Sequence, residues 1–202
     1  CFEEAAGGAA VTAVQMARLI NGPVDLFTSL GKDAYGEKSY ERLTKLGLNL
    51  KVAWREKPTR KGISLICNDG ERAITVIGER LQPIGKDNLP WSNMKNYDGV
   101  FVTATDIDGI KLARQARFLA ATPRTGQNTL RDSKVKLNAL IGSRIDPGEH
   151  INYEELIPKP DIYIATEGKS GGVVYPNKLK YKSIKPSSKE IDSYGCGDCF
   201  AG

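Results

Sequence analysis

Short apolar runs alternate with stretches of helical spacing along most of this chain, and that alternation limits its fold more than any other feature. Ala10, Ala13, Val14, Ala17 and Ile20 recur at helical spacing within positions 9–20 and give one small-residue face. Asn21-Gly22-Pro23 stops that helix, with Asn or Gly expected as its C-cap. Val24–Leu30 reads as a buried strand and Gly31–Gly36 as a turn, and the next helix ends near Leu46-Gly47. Strand-like runs follow at Leu50–Trp54, Gly62–Cys67 and Arg72–Ile77. The last two flank Asn68-Asp69-Gly70, a hairpin signal. After a loop at Pro83–Trp91, Asp98–Thr103 reads as a strand and Ile107–Leu119 as a helix with Asp106 as N-cap. Ala139–Ser143, Asp161–Thr166, Val173–Tyr175 and Leu179–Ile184 read as strands. The pattern predicts an α/β fold with a mostly parallel sheet and a small β appendage. There is no internal repeat.

The 202 residues suit one domain, or one domain with an appendage. No apolar run reaches the ~18 residues that a membrane-spanning helix needs, and no leader pattern is visible. Membrane and nucleic-acid partners are not expected. The net charge is +5, but the excess is local: Lys169, Lys178, Lys180, Lys182, Lys185 and Lys189 lie in a stretch without Asp or Glu. Alternation of Lys178, Lys180 and Lys182 with Leu179 and Tyr181 reads as the solvated face of a strand. Cys1, Cys67, Cys196 and Cys199 form no disulfide framework, so reduced cytoplasmic thiols are expected.

The chemistry concentrates in Asp192-Ser193-Tyr194-Gly195-Cys196-Gly197-Asp198. Two glycines two apart at a helix entry let backbone N–H groups converge on an anion, and the helix end adds its positive dipole. Asp198 beside such a site is placed to take a proton from a hydroxyl attacking phosphorus. The same residues also fit a plain glycine-rich turn with an Asp cap, and Gly-x-Gly-Asp alone does not decide. Gly168-Lys169-Ser170 is not a P-loop, because Tyr163 stands where that motif needs Gly. The last residues read as the first turn of a helix, and no strand precedes the Gly-Gly turn near the start. Further pieces of the fold are therefore expected beyond both ends.

The 192–198 stretch resembles the Asp-[Thr/Ser]-x-Gly-[Ala/Cys]-Gly-Asp signature of the ribokinase-like (PfkB-type) carbohydrate kinases. Gly7-Gly8, Gly31-Lys32-Asp33-Ala34-Tyr35-Gly36, Thr59-Arg60-Lys61-Gly62 and Thr166-Glu167-Gly168-Lys169-Ser170-Gly171 resemble further segments of that family, in order. The resemblance implies a three-layer α/β/α fold, with 1–47 and 78–202 as the nucleotide-binding and phosphoryl-transfer domain and 48–77 contributing to a β lid. It implies ATP-dependent phosphorylation of a sugar or sugar-derivative hydroxyl. Asp198 would be the general base, and the N–H groups of Gly195, Cys196 and Gly197 the anion hole. Thr166, Gly168, Gly171 and Asp192 would bind nucleotide, and Gly7, Gly8, Thr12, Asp33 and Gly62 would bind substrate. Mg²⁺ would ride on the nucleotide, and two copies would pair through the lid.

The sequence departs from the family at two places. Thr12 stands where the family has Asn. Ser143-Arg144-Ile145-Asp146 stands near its Asn-x-x-Glu, so Asp146 is the candidate metal-side acid against a plain turn before Pro147-Gly148. A nucleoside kinase, or a member that binds without turnover, are the alternatives. Cys196-x-x-Cys199 is read as packing, with Cys199 inward, ahead of redox work. His150 is read as a loop residue. Trp54, Trp91, Tyr97 and Tyr153 suit a core as well as a substrate wall, and Arg60, Lys61, Arg72 and Arg80 suit solvated strand ends as well as an anionic sugar.

Overall fold

A computed structural model describes residues 3–5, 7–66, 72–185 and 194–202. Cys1, Cys67, Asn68-Asp69-Gly70, Lys189, Asp192 and Ser193 lie outside the described residues, as does the side chain of Arg72. The chain divides into two compact units. One comprises Cys1–Pro83 with Pro186–Phe200 and Gly202, the other Ile84–Lys185 with Ala201.

In the first unit, helix α1 (Gly8–Leu19) presents its small-residue face to strand β1 (Val24–Gly31). Strand β1 pairs in parallel with β2 (Leu48–Arg55), in register from Val24 opposite Leu48 to Gly31 opposite Arg55. Helix α2 (Ala34–Lys45) makes the crossover between them. Ala10, Ala13, Val24, Leu26, Leu43 and Leu48 form the buried core of this unit. Alanines at the α1 positions allow the helix backbone to approach the strands closely. Strand β2, grouped in the sequence with the hairpin, thus belongs to the β1 sheet. Strands β3 (Lys61–Ile66) and β4 (Arg72–Ile77) form a separate antiparallel pair. Helix α1 does not end on Asn21 or Gly22 as expected. Its C-cap is Ile20 in extended conformation, whose N–H donates to the Met16 carbonyl. The chain has already left the helix when it reaches Pro23.

In the second unit, six strands are ordered β10-β9-β8-β7-β6-β5. Strands β5 (Gly99–Val102), β6 (Phe118–Ala121), β7 (Ala139–Ser143) and β8 (Ile162–Thr166) are parallel. Strands β9 (Gly172–Tyr175) and β10 (Leu179–Tyr181) continue antiparallel. Helices α3 (Ile107–Ala113) and α4 (Gln127–Ser133) pack against each other, over a core that includes Ile110, Leu119, Leu140 and Tyr163. The rings of Tyr153, Tyr163 and Tyr175 stack with centroids 5.0–6.3 Å apart, so Tyr153 belongs to the core and not to a substrate wall. Asp106 caps α3 as expected, accepting from Gly109 N at 2.8 Å.

The helix expected over Ile107–Leu119 stops at Ala113, and Phe118–Ala121 is a strand. Phe118 keeps the helical spacing of Ile110 and Arg114, so the period does not mark the break. Arg114 makes the exit, its guanidinium donating to the Ala116 carbonyl and to Asn138 Oδ1. Asn138 Oδ1 in turn accepts from Leu119 N at 2.9 Å. Helix α4 escaped the sequence reading because only Leu130 and Ser133 of its seven residues are buried, which leaves no apolar period. Strand β10 is shorter than the expected Leu179–Ile184. The Ser183 hydroxyl instead donates to the Lys169 carbonyl at 2.6 Å.

Candidate active site

Helix α5 (Cys196–Ala201) opens on Gly195, whose φ of 74° lies in the left-handed region that favours glycine. A Cβ there would also stand 3.1 Å from Val11 Cγ1. The Cys199 N–H returns to the Gly195 carbonyl at 2.8 Å and closes the first turn. A Cβ on Gly197 would meet nothing within 4 Å among the described residues, so the Cα side of this turn is open.

Asp198, in the first turn of α5, is half-buried. Its carboxylate lies against Gly8: a Cβ built on Gly8 would be 2.6 Å from Oδ1 and 3.3 Å from Cγ. Its main-chain carbonyl accepts the Thr12 hydroxyl at 3.1 Å. Gly8 and Thr12 lie four residues apart on one face of α1. The N-cap of α1 is Gly7, at φ 111°, with no side-chain cap and no acidic residue in the first turn of its own. The Asp198 carboxylate therefore lies beside the N-terminal end of α1. Gly7, Gly8, Thr12, Gly195, Gly197 and Asp198, scattered in sequence, meet here.

Asp33 and Gly62 are placed differently. Asp33 caps α2, and its carboxylate accepts from Gly36 N, Thr59 N and Thr59 Oγ1 at 2.7–2.8 Å. These bonds hold its pKa below the ordinary carboxyl value, the Thr59 N–H contributing most. Thr59 Oγ1 also accepts from Gly31 N at 3.0 Å. A Cβ on Gly31 would be 2.5 Å from Thr59 N, and one on Gly36 would be 2.0 Å from the Gly31 carbonyl oxygen. The Gly-x-Asp-x-x-Gly segment is thus a clasp around Thr59, a partner the sequence reading did not assign. Gly62 lies exposed on β3, opposite Val76. Lys61 Nζ stands 4.5 Å from the Tyr35 ring centroid, and Trp54 packs on Tyr40.

Cys199 is exposed rather than turned inward as expected. Partial desolvation, then the nearby Cys196 and Asp198, push its thiol pKa up. A raised pKa opposes thiolate chemistry.

In the second unit, the candidate nucleotide residues follow β8. Thr166 closes the strand, and Gly168–Ser170 forms one turn of 3₁₀ helix. Gly168 has φ 56° and Gly171 φ 92°, and a Cβ on Gly171 would be 2.0 Å from the Tyr181 carbonyl oxygen. Only glycine fits there. This loop borders a pocket of about 380 Å³ lined by Arg144, Glu167, Ser170, Lys180 and Lys182, among others. Arg144 pairs with Glu167 at 2.6 Å, which leaves the lysines as a positive surplus suited to a polyphosphate. The pocket stands at the carboxyl ends of parallel strands, where α/β sheets bind ligands.

Asp146, the candidate metal-side acid, is already engaged. Arg124 Nη2 donates to its Oδ2 at 2.9 Å, and Gly148 N donates to its Oδ1 at 2.8 Å. Arg124 also pairs with Glu149, whose Oε2 accepts from Ser143 N at 3.0 Å. Neither Arg124 nor Glu149 was singled out from sequence. The signal available for Glu149 was the acid-x-x-acid spacing Asp146-Pro147-Gly148-Glu149. With both carboxylates paired to one guanidinium and also accepting backbone N–H groups, this loop does not fit a direct metal cage. Among the described residues no group of three or more His, Cys, Asp or Glu is arranged to hold a metal ion. Likewise, no helix among them is long and apolar enough to cross a membrane.

Solved structures share the fold across nearly the whole chain. A ribokinase from Giardia lamblia superposes with a TM-score of 0.75 at 16% identity, covering 96% of this chain and 69% of its own. The adenosine kinase from Sinorhizobium meliloti gives 0.73 at 16% identity, covering 97% and 68%. The ribokinase from Thermotoga maritima gives 0.72 at 16% identity, covering 97% and 71%. At these identities the likeness fixes the fold, which is ribokinase-like α/β with a mostly parallel sheet. No curated protein matches the sequence significantly. The pfkB family carbohydrate kinase profile, however, matches residues 1–140. That match adds the family to the fold and to the glycine turns just described: the chain belongs to the pfkB family of carbohydrate kinases.

Proposed function

We propose that this chain transfers the γ-phosphoryl group of ATP, taken up as its Mg²⁺ complex, to a hydroxyl of a sugar or sugar derivative. The observation that carries the reading is the placement of the Asp198 carboxylate against the bare backbone of Gly8, in the helix turn that opens on the left-handed Gly195. Asp198 takes the proton of the acceptor hydroxyl as that oxygen bonds to the γ-phosphorus. The bond from phosphorus to the bridging oxygen breaks, and ADP leaves. The N–H groups of Gly195, Cys196 and Gly197 receive the charge that develops on the transferring group. Such preorganised donors act most strongly where water is excluded. Because Asp146 and Glu149 are held by Arg124, no step is assigned to a protein-bound metal.

The nucleotide is assigned to the Thr166–Gly171 loop and its basic pocket, with Asp192 outside the described residues. The β3–β4 pair, within 48–77, is assigned to the lid. Ile63, Leu65 and Ile77 lie on one face of that pair by register, and all three are exposed. Such a face supports closure over substrate and pairing with the lid of a second copy. Gly62, at the base of β3, borders the acceptor in this reading, and Asp33 serves it through the Thr59 clasp.

The adenosine kinase likeness is as strong as the ribokinase likenesses, so a nucleoside acceptor is the second reading. The test is ADP release from MgATP by the full-length protein against free sugars, sugar acids and adenosine. One acceptor class should raise release well above that with ATP alone. Release unchanged by every acceptor would leave binding without turnover as the correct reading.

A further inference from the structure

The hydroxyl of Thr12 is directed at the protein's own backbone. Thr12 is 2% exposed, so a diffusing sugar has almost no access to it. It donates to the main-chain carbonyl of Asp198, 186 residues away, at 3.1 Å. Gly202 closes the same contact from the other side: a Cβ there would be 2.9 Å from the Thr12 carbonyl oxygen and 3.2 Å from Thr12 Cγ2. One turn earlier on the same face of α1, Gly8 leaves space for the Asp198 carboxylate.

We infer that Thr12 is a positioning residue for Asp198 and not a ligand to substrate. This rests on the proposed role of Asp198 as base. The two residues of α1 act on the two ends of one aspartate: Thr12 anchors its carbonyl, and Gly8 seats its carboxylate. A base held at both ends keeps its oxygen at hydrogen-bond reach of the acceptor without reorganising in each turnover. Catalytic groups are sensitive to displacements on the order of 1 Å, which cost up to about 10²-fold in rate. The Asp198 carbonyl also accepts from Gly202 N at 3.2 Å, so removing the hydroxyl takes away the one of these two donors that ties the turn to α1.

The test compares Thr12→Val, which keeps the shape and removes the donor, with Thr12→Ser, which keeps the donor. Turnover is read as ADP release from MgATP with the sugar, sugar acid or adenosine that gives the fastest rate. Thr12→Val should lower kcat about 10- to 100-fold with KM for both substrates within about 3-fold, and Thr12→Ser should restore most of it. If Thr12→Val does not fold, Thr12→Ala against Thr12→Ser makes the same comparison. In an Asp198→Asn background the Thr12→Val cost should vanish, because there is no base left to position. A wild-type kcat for Thr12→Val, a rise in acceptor KM alone, or an undiminished cost in the Asp198→Asn background would each overturn the inference. An Asp198→Asn enzyme at wild-type rate would instead overturn the base assignment.

Discussion

Replacing Gly8 with Ala should separate stability from catalysis, because one methyl group acts on them in opposite directions. Gly8 is the first residue of α1, and its φ lies outside the left-handed region, so Ala adopts its backbone without strain. Helix propensity then favours the variant by up to about 1 kcal/mol. For a chain of this size that is a rise in melting temperature of at most ~4 °C. The new Cβ, however, would stand 2.6 Å from Asp198 Oδ1. An ordinary carbon–oxygen contact is roughly 0.6–0.8 Å longer, so the carboxylate must move by about that amount or change rotamer. A shift of this size at a reacting group costs about 10- to 100-fold in kcat. Gly7→Ala is the control. Its Cβ would touch nothing within 4 Å, but φ 111° is open to glycine and strained for alanine. That variant should lose about 1–2 kcal/mol of stability. The assays are thermal melting and ADP release on the same preparations. A Gly8→Ala enzyme with full kcat would refute the seating of the carboxylate on α1. So would one whose melting temperature falls further than that of Gly7→Ala.

Gly197→Val should melt near the wild type, since its Cβ points into open space, yet lose about 10²-fold or more in turnover by filling the anion site. Full turnover would argue against an anion hole there. Asp33→Asn should cost about 1–3 kcal/mol at neutral pH, because the amide turns a donor toward the Thr59 or Gly36 N–H. The Asp33 pKa is lowered in the folded protein, so its stabilisation is fully present above the unfolded value near ~4 and is lost as pH falls through the folded value. The gap between wild type and Asp33→Asn in urea unfolding should therefore shrink toward pH 3. A gap independent of pH would show that the clasp does not depend on the carboxylate charge.

Local chemistry made part of this molecule readable in the sequence. Asp106 caps its helix as its position announced, and within the expected Asp161–Thr166 the strand runs over Ile162–Thr166, because an apolar run bounded by loop residues has few other uses. The glycines at 168, 171 and 195 were visible as a pattern because each meets a backbone demand that other residues do not. What escaped depends on partners distant in sequence. Thr59 closes on Asp33 from 26 residues away, and nothing in Thr-Arg-Lys-Gly announces it. The pairing of β2 with β1 is set by the crossover through α2, while in sequence β2 adjoins the hairpin. Thr12 reads as a substitute for a substrate-binding Asn, and its burial and its bond to Asp198, 186 residues away, are set by the fold and not by local spacing. Arg124 holds Asp146 and Glu149 together because β6 and β7 are adjacent, a fact of strand order that local spacing does not encode.

The central claim is that Asp198 accepts the acceptor's proton while backbone amides hold the phosphoryl group. It is tested most directly by Asp198→Asn, an isosteric change that removes the basic oxygen. ADP release with the best acceptor should fall about 10²- to 10⁴-fold, while MgATP affinity measured by calorimetry stays within about 3-fold of wild type. An Asp198→Asn protein that turns over at the wild-type rate would contradict the account.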